Sequence, residues 1–492
     1  MSKRKIIFRA DGNSMMGLGH LYRLLSLAEM VQNSIDFQFL VHESTLQDII
    51  PHTYNKTIIP KAVDIKNEPD WISQNFVYNE YIIIVDGYQF KSSYQKSLKN
   101  KGYKIIYIDD LAEDYMYADV VINHSAAFKE SDYKKEGYTQ LALGTDYALL
   151  RPEFLDLACK NRLIDRIDTA FVCFGGADPF HLTVMAVKAL LDLHQIKKIN
   201  VVLGGAYLDR EIFTLASTTL KIEIHKNISS KEIAEVMSSS HIGIVPASTV
   251  LYELCSVKMP VLSGYYIENQ KNIYKEFVEK NIIFDGGDFR TYTTEHFKIK
   301  LQAIISEKSY VSYLSNQKAI IDGKSKARLL GLINQLNISF KTASEKDLIT
   351  VLNWSNDTLV RKNSFNSNPI LLEDHKKWFF KKIKDKQTLF LIALINGESA
   401  GVVRFEIGEE RTTIGILVDK KFRGQKMATA FLIKSAELYF SKYKLPIFAY
   451  IKKDNFASLK SFQRAGYRYY NEEIVDGSNS YIYRLDNKYE NQ

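Results

Sequence analysis

Cysteine is scarce in this chain of 492 residues: Cys159, Cys173 and Cys255 lie far apart, with no CxxC and no paired spacing. That pattern excludes a cysteine-built zinc site or disulfide framework and fits a reducing cytoplasm. No stretch approaches the roughly 18 uninterrupted apolar residues that a membrane helix needs. The opening MSKRKIIFRADG reaches an Asp too soon for a signal peptide and reads as a first β-strand. A dense basic tract is also missing. The net charge of +8, from 65 basic and 57 acidic residues, is spread along the chain. This argues against a nucleic-acid partner and suits anionic small molecules such as nucleotides. His124, His181 and His241 sit in unrelated segments without ligand spacing, so no metal is expected.

What is present is an ordinary globular composition, 46% apolar and 25% charged, and a length suited to about three domains. Short apolar runs, with ends in Asp, Asn or Gly, alternate with helical stretches: KIIFRAD, FQFLVH, YIIIVDGY, YKIIYIDD and DVVINH. A second series follows from residue 169: TAFVCFGG, INVVLGG, IEIHKN, HIGIVPAS and MPVLSGY. Such runs indicate parallel sheets with ligand groups at their C-terminal edges, here two Rossmann-like units in tandem. Near residue 337 the order changes. FLIALINGESAGVVRFEI reads as a hairpin turning at Asn396 and Gly397, and ATAFLIKSAELYF as a helix. The expected domains are 1–155, 156–336 and 337–492, all α/β, joined without a Pro/Ser linker.

The first constellation is RADGNSMMGLGHLYR, a strand-to-helix turn. Gly17 and Gly19 let backbone approach a ligand, and His20 stands where a helix N-terminus favours an anion. Arg23 supports the site one turn on, with Asp11 flanking. Ser248 and Thr249 precede another helix and can donate to phosphate oxygens. Glu253 suits a grip on two ribose hydroxyls, and Asn269 and Gln270 can contact sugar or nucleotide. Asp86 and Tyr88, in VDGY, follow a strand and can position water or sugar.

The R-x-D-x₅-G-x-G-H-x-x-R pattern resembles the start of the UDP-2,4-diacetamido-2,4,6-trideoxy-β-L-altropyranose hydrolases of pseudaminic acid biosynthesis, relatives of the GT-B glycosyltransferases. FGGADP at 174–179, with Gly175 and Gly176, is similar to their second glycine turn. PASTVLYELCSVKMPVLSGYYIENQ at 246–270 and DGKSKAR at 322–328 extend the resemblance. It implies a GT-B-like pair of Rossmann-type domains that releases UDP from a UDP-sugar by water attack, with His20 handling the water. Asp86 and Tyr88 would complete the catalytic set.

Residues 338–487 resemble the GNAT acetyltransferases. TIGILVDKKFRGQKMATAFL is similar to their pyrophosphate loop, implying that Leu417, Val418, Arg423, Gly424, Gln425, Lys426, Met427, Ala428 and Thr429 hold acetyl-CoA. Lys426 departs from the pattern, which has a middle glycine there. KKDNFASLKSFQRAGYRYY adds Asn455 and Ser458 near the pantetheine arm. Phe462 stands where many members carry a tyrosine acid, so that role passes to Tyr467 or Tyr450 or is absent. Residues 353–379 resemble enzymes acting on amino-sugar nucleotides, implying Arg361, Asn363, Ser364 and His375 on the acceptor side, with Glu406 as candidate base. The combined expectation is a bifunctional cytoplasmic enzyme. It acetylates the 4-amino group of a UDP-amino sugar and then releases UDP. The alternatives are a glycosyltransferase in place of the hydrolase, or a gluco-configured substrate.

Overall fold

The computed structural model describes residues 4–13, 17–125, 127–175, 178–205, 207–307 and 310–487. The chain divides into two compact units, Arg4–Lys326 and the part from Ala327 onward. The division falls inside the helix Ser325–Leu336.

The first unit holds two parallel sheets. One comprises β1 (Lys5–Arg9), β2 (Phe37–His42), β3 (Lys56–Ile59), β4 (Tyr81–Asp86), β5 (Lys104–Ile108), β6 (Val120–Asn123) and β7 (Gln140–Leu143) in the order 3-2-1-4-5-6-7. The other comprises β8 (Thr169–Val172), β9 (Lys198–Leu203), β10 (Ile222–Lys226), β11 (Ile242–Pro246), β12 (Val261–Tyr265) and β13 (Phe284–Asp288) in the order 10-9-8-11-12-13. Ile, Val and Phe fill the central strands because both faces are covered by helices. Each sheet reverses direction once, between β1 and β4 and between β8 and β11. There the connections leave on opposite faces and open a crevice at the strands' C-terminal ends. The sequence reading found ten of these strands and missed β3, β7 and β13, whose apolar runs are short or, in FDGGD, nearly absent.

The second unit is a single sheet of β14 (Ile338–Thr342), β15 (Thr388–Ile395), β16 (Glu398–Ile407), β17 (Thr412–Val418), β18 (Ile447–Lys452), β19 (Arg468–Val475) and β20 (Ser478–Leu485), ordered 14-15-16-17-18-20-19. Every pairing is antiparallel except β17 with β18. The β15–β16 hairpin turns at Asn396 (φ 51) and Gly397 (φ 78), two positive values that match the strands' twist. The helix Met427–Phe440 packs on one face and the helix Leu372–Lys384 on the other. β17 and β18 pair only at Thr412–Ile447 and Thr413–Phe448. Beyond that point they part, leaving backbone amides and carbonyls of both strands without a ladder partner.

Candidate functional site

In the first unit, loops from both switch points line one cavity of about 290 Å³. Gly17, Gly19, His20 and Arg23 come from the turn and helix after β1, and Tyr88 from the loop after β4. Ser248 and Thr249 follow β11, and Asn269 and Gln270 follow β12. Two helices, Gly19–Val31 and Thr249–Val257, begin at this cavity, and neither is capped by a side chain or has an acidic first turn. Their first amides and dipoles therefore favour an anion. Gly17 holds φ +79 with open space where a Cβ would stand, as a turn that clears room for a ligand requires.

A chain of charges runs beneath the cavity. The carboxylate of Asp86 is fully buried and accepts from His20 Nδ1 at 2.7 Å, Arg23 Nη2 at 2.6 Å and Arg23 Nε at 2.9 Å. Arg23 Nη1 also donates to Asp110 at 2.5 Å. Arg23 Nη2 lies 2.8 Å from His20 Nδ1, but a lone pair on Nδ1 would face the negative oxygen of Asp86. The hydrogen therefore sits on Nδ1, the two donors converge on one oxygen, and Nε2 is left as the basic nitrogen. Tyr88 packs its ring at 4.7 Å and 88° to the imidazole, and its hydroxyl donates to Asp110 at 3.3 Å.

Two cavity groups that sequence reasoning missed are Asp110 and His124. Both stand at ends of apolar runs, YIDD and VVINH, and that strand-end position was the available signal. Burial works to raise the Asp110 carboxyl, but the Arg23 guanidinium overrides it and holds it at about 2. Burial, and then Arg23, lower His124 to about 4. His124 is thus neutral in the folded protein while an unfolded chain protonates it near 6.5, so stability falls as pH drops through that window. His124→Gln is expected to flatten the loss between pH 6.5 and 4 by on the order of 3 kcal/mol, measured by urea denaturation across pH. An unchanged slope would contradict the burial argument.

Asp11 and Glu253 lie outside the cavity lining. Asp11 accepts from Arg9 at 2.6 Å, the His42 amide at 2.8 Å and Thr45 at 3.0 Å. Glu253 is buried against Arg151, whose Nε stands 2.9 Å from Oε1. Gly175 (φ +84) is also away from the lining, and Gly176 lies outside the described residues. Among the described residues no cluster of His, Cys, Asp or Glu could hold a metal ion, and no helix is long and apolar enough to cross a membrane.

In the second unit, a cavity of about 740 Å³ opens where β17 and β18 part. It is lined by Gly415 to Val418 of the first strand, Tyr450 to Lys452 of the second, and Asn455 and Ser458 beyond. Residues 337–468 match the family described as the acetyltransferase (GNAT) domain. An uncharacterized N-acetyltransferase of Bacillus subtilis is 30% identical over 129 residues, 26% of this chain and 83% of that protein. The chain carries a GNAT acetyltransferase domain. The UDP-2,4-diacetamido-2,4,6-trideoxy-beta-L-altropyranose hydrolase of Campylobacter jejuni is 27% identical over 279 residues, 54% of this chain and 94% of that protein. That is more residues than follow position 336, so part of this likeness lies ahead of the GNAT domain. An uncharacterized protein of Methanocaldococcus jannaschii is 23% identical over 488 residues, 94% of this chain and 96% of that one. The chain is a fusion of a relative of sugar-nucleotide enzymes with a GNAT domain.

Within the GNAT domain, Leu417, Val418, Arg423, Ala428, Asn455 and Ser458 line the cavity. Arg423 is held by the Val418 carbonyl at 3.0 Å and by Asp357 at 2.9 Å. Asn455 caps the helix Phe456–Arg464, accepting from the Ser458 amide at 3.2 Å. Gly424, Gln425, Lys426, Met427 and Thr429 are outside the lining. Gln425 accepts from Asn334 at 2.9 Å, Met427 is buried, and Thr429 donates to the Ser461 carbonyl at 3.4 Å. Lys426, at the pattern's middle glycine, has φ +59, a left-handed backbone that glycine adopts more readily than lysine. Asn363, Ser364, Glu406, Tyr450 and Phe462 line the cavity. His375 does not: its ring packs with Trp378 and Phe379 in the helix–sheet core, a correction to its acceptor-side expectation. Arg361 bonds the carbonyls of Ser355, Asn366 and Asn368, shaping its loop. Tyr467 is buried with its hydroxyl unpaired, leaving Tyr450 as the tyrosine at the cavity.

Proposed function

We propose that the chain acetylates the 4-amino group of a UDP-4-amino-4,6-dideoxy-N-acetyl-altrosamine from acetyl-CoA, and then hydrolyses the product to free 2,4-diacetamido-2,4,6-trideoxy-hexose and UDP. The observation that carries the second step is the His20–Asp86–Arg23–Asp110 chain, set in one cavity with the N-terminus of the helix Thr249–Val257. Water gives a proton to His20 Nε2 as its oxygen bonds to the anomeric carbon. The bond from that carbon to the diphosphate oxygen breaks, and UDP leaves with the electron pair. A diphosphate is a weak base and leaves without a proton donor. Its charge is met by the helix amides and by Ser248 and Thr249. Asp86 stabilises the imidazolium, and Arg23 holds the Asp86 carboxylate in place through two hydrogen bonds until the proton returns to solvent.

In the GNAT domain the pantetheine arm lies along the open edge of β17. The amine attacks the thioester carbonyl, the carbon–sulfur bond breaks, and the sulfur leaves as thiolate. Glu406, the one carboxylate lining the cavity among the described residues, takes the amine proton directly or through water, and Tyr450 stands ready to protonate the sulfur. The test is to incubate the protein with UDP-4-amino-4,6-dideoxy-N-acetyl-β-L-altrosamine, with and without acetyl-CoA, and to follow CoA and UDP by chromatography. CoA release followed by UDP release is expected. CoA without UDP would remove the hydrolase and leave a transferase awaiting an acceptor. Neither product would remove the substrate assignment.

A further inference from the structure

One pleat from the point where β17 and β18 part, a row of side chains crosses the GNAT sheet. Thr388, Glu406, Thr413, Phe448 and Arg484 stand directly opposite one another on β15, β16, β17, β18 and β20, and so share one face. With Arg411, Tyr470 and Lys382 they wall a second cavity of about 1000 Å³. Glu406 and Thr413 line both this cavity and the one at the strand opening, so the two form a continuous groove. Two residues along a strand, about 7 Å, separate the rows. That is close to the span of one hexose ring.

The far end of the groove has a specific chemistry. The Arg411 guanidinium lies 5.6 Å from the centre of the Phe448 ring and that of Arg484 lies 5.7 Å from it. Tyr470, exposed, meets the same ring edge-on at 5.2 Å and 88°. Arg484 is paired with Asp486 at 2.7 Å, whereas Arg411 has no carboxylate partner among the described residues. Glu409 and Glu410 on the adjoining hairpin also line the cavity. Guanidiniums suit phosphate, aromatic faces suit a planar base, and carboxylates suit ribose hydroxyls. A lipid tail would strand these charges and those of Asp385, Glu406 and Lys382.

We propose that this cavity is a nucleotide subsite, which takes the nucleoside diphosphate of the acceptor while its amino sugar reaches the strand opening. The proposal rests on reading this domain as an amino-sugar N-acetyltransferase, and it implies that acetylation precedes nucleotide release. CoA also carries a nucleoside diphosphate, so the source must be distinguished.

The test is calorimetric titration of the full chain with UDP, alone and with saturating CoA. Binding at this cavity is expected to weaken by about tenfold or more in Arg411→Ala/Arg484→Ala and in Tyr470→Ala, and to persist when CoA is present. Tyr470 is exposed, so its variant guards against a folding artefact. UDP binding that both variants leave unchanged overturns the proposal. Displacement of this UDP by CoA also overturns it, because the nucleotide would then occupy the CoA groove. Failure to release CoA from acetyl-CoA in the presence of the amino sugar, or to release UDP, is read in the product assay and sinks the proposed activities separately.

Discussion

His20→Ala is expected to lower UDP release about 10²- to 10⁴-fold, the range by which a positioned general base accelerates proton transfer, while CoA release from acetyl-CoA stays unchanged. The selectivity follows from placement: His20 lies in the first unit and the cavity proposed for acetyl transfer in the second. Asp86→Asn is expected to act in the same direction. An amide in place of the carboxylate turns an NH2 toward Arg23 Nε or toward His20, and the imidazole loses the negative charge that keeps its hydrogen on Nδ1. Single-turnover UDP release would be compared with CoA release on the same preparations, after thermal melts show that each variant is folded. UDP release within tenfold of the unaltered protein in His20→Ala would remove His20 as the base.

The second large effect is on stability. Arg9 is 1% exposed and grips Glu68 through two nitrogens, at 2.7 and 2.8 Å, with Asp11 on a third at 2.6 Å. Tyr94 adds a hydrogen bond to Glu68 at 2.5 Å, and the Phe90 ring lies 4.9 Å from the guanidinium carbon. Burial works against the charge on Arg9, and the two carboxylates restore and exceed it. Removing the cation leaves two carboxylates buried without compensation, a change that costs about 3–5 kcal/mol. Arg9→Met is expected to show that loss in urea denaturation, with Arg9→Met/Glu68→Leu recovering part of it. A loss below about 1 kcal/mol would mean that water reaches the pair, and would reopen a ligand role for Asp11.

Much of the fold was legible because it is written in local pattern. Apolar runs that end in Asp, Asn or Gly mark buried parallel strands and put polar groups at the sheet's C-terminal edge, which is how Asp86, Tyr88, Ser248 and Thr249 could be named. The Asn396–Gly397 turn was readable from two residues. FDGGD was not, because β13 has little apolar pattern and owes its pairing to its neighbour β12. Asp11 and Glu253 show a different limit. Their types and settings suited a ligand. Asp11 is claimed by Arg9 beside it and by His42 and Thr45, 31 and 34 residues away, and Glu253 by Arg151, 102 residues away.

Strand periodicity, helix starts and glycine turns depend on neighbours a few residues apart, so the chain order alone specifies three sheets and the polar groups at their edges. Which of those groups share a cavity depends on the switch points of two sheets and on where β17 leaves β18. Asp110 and His124 join His20, Arg411 and Arg484 meet on Phe448, and His375 turns into the core, because packing brings together positions that no spacing rule connects.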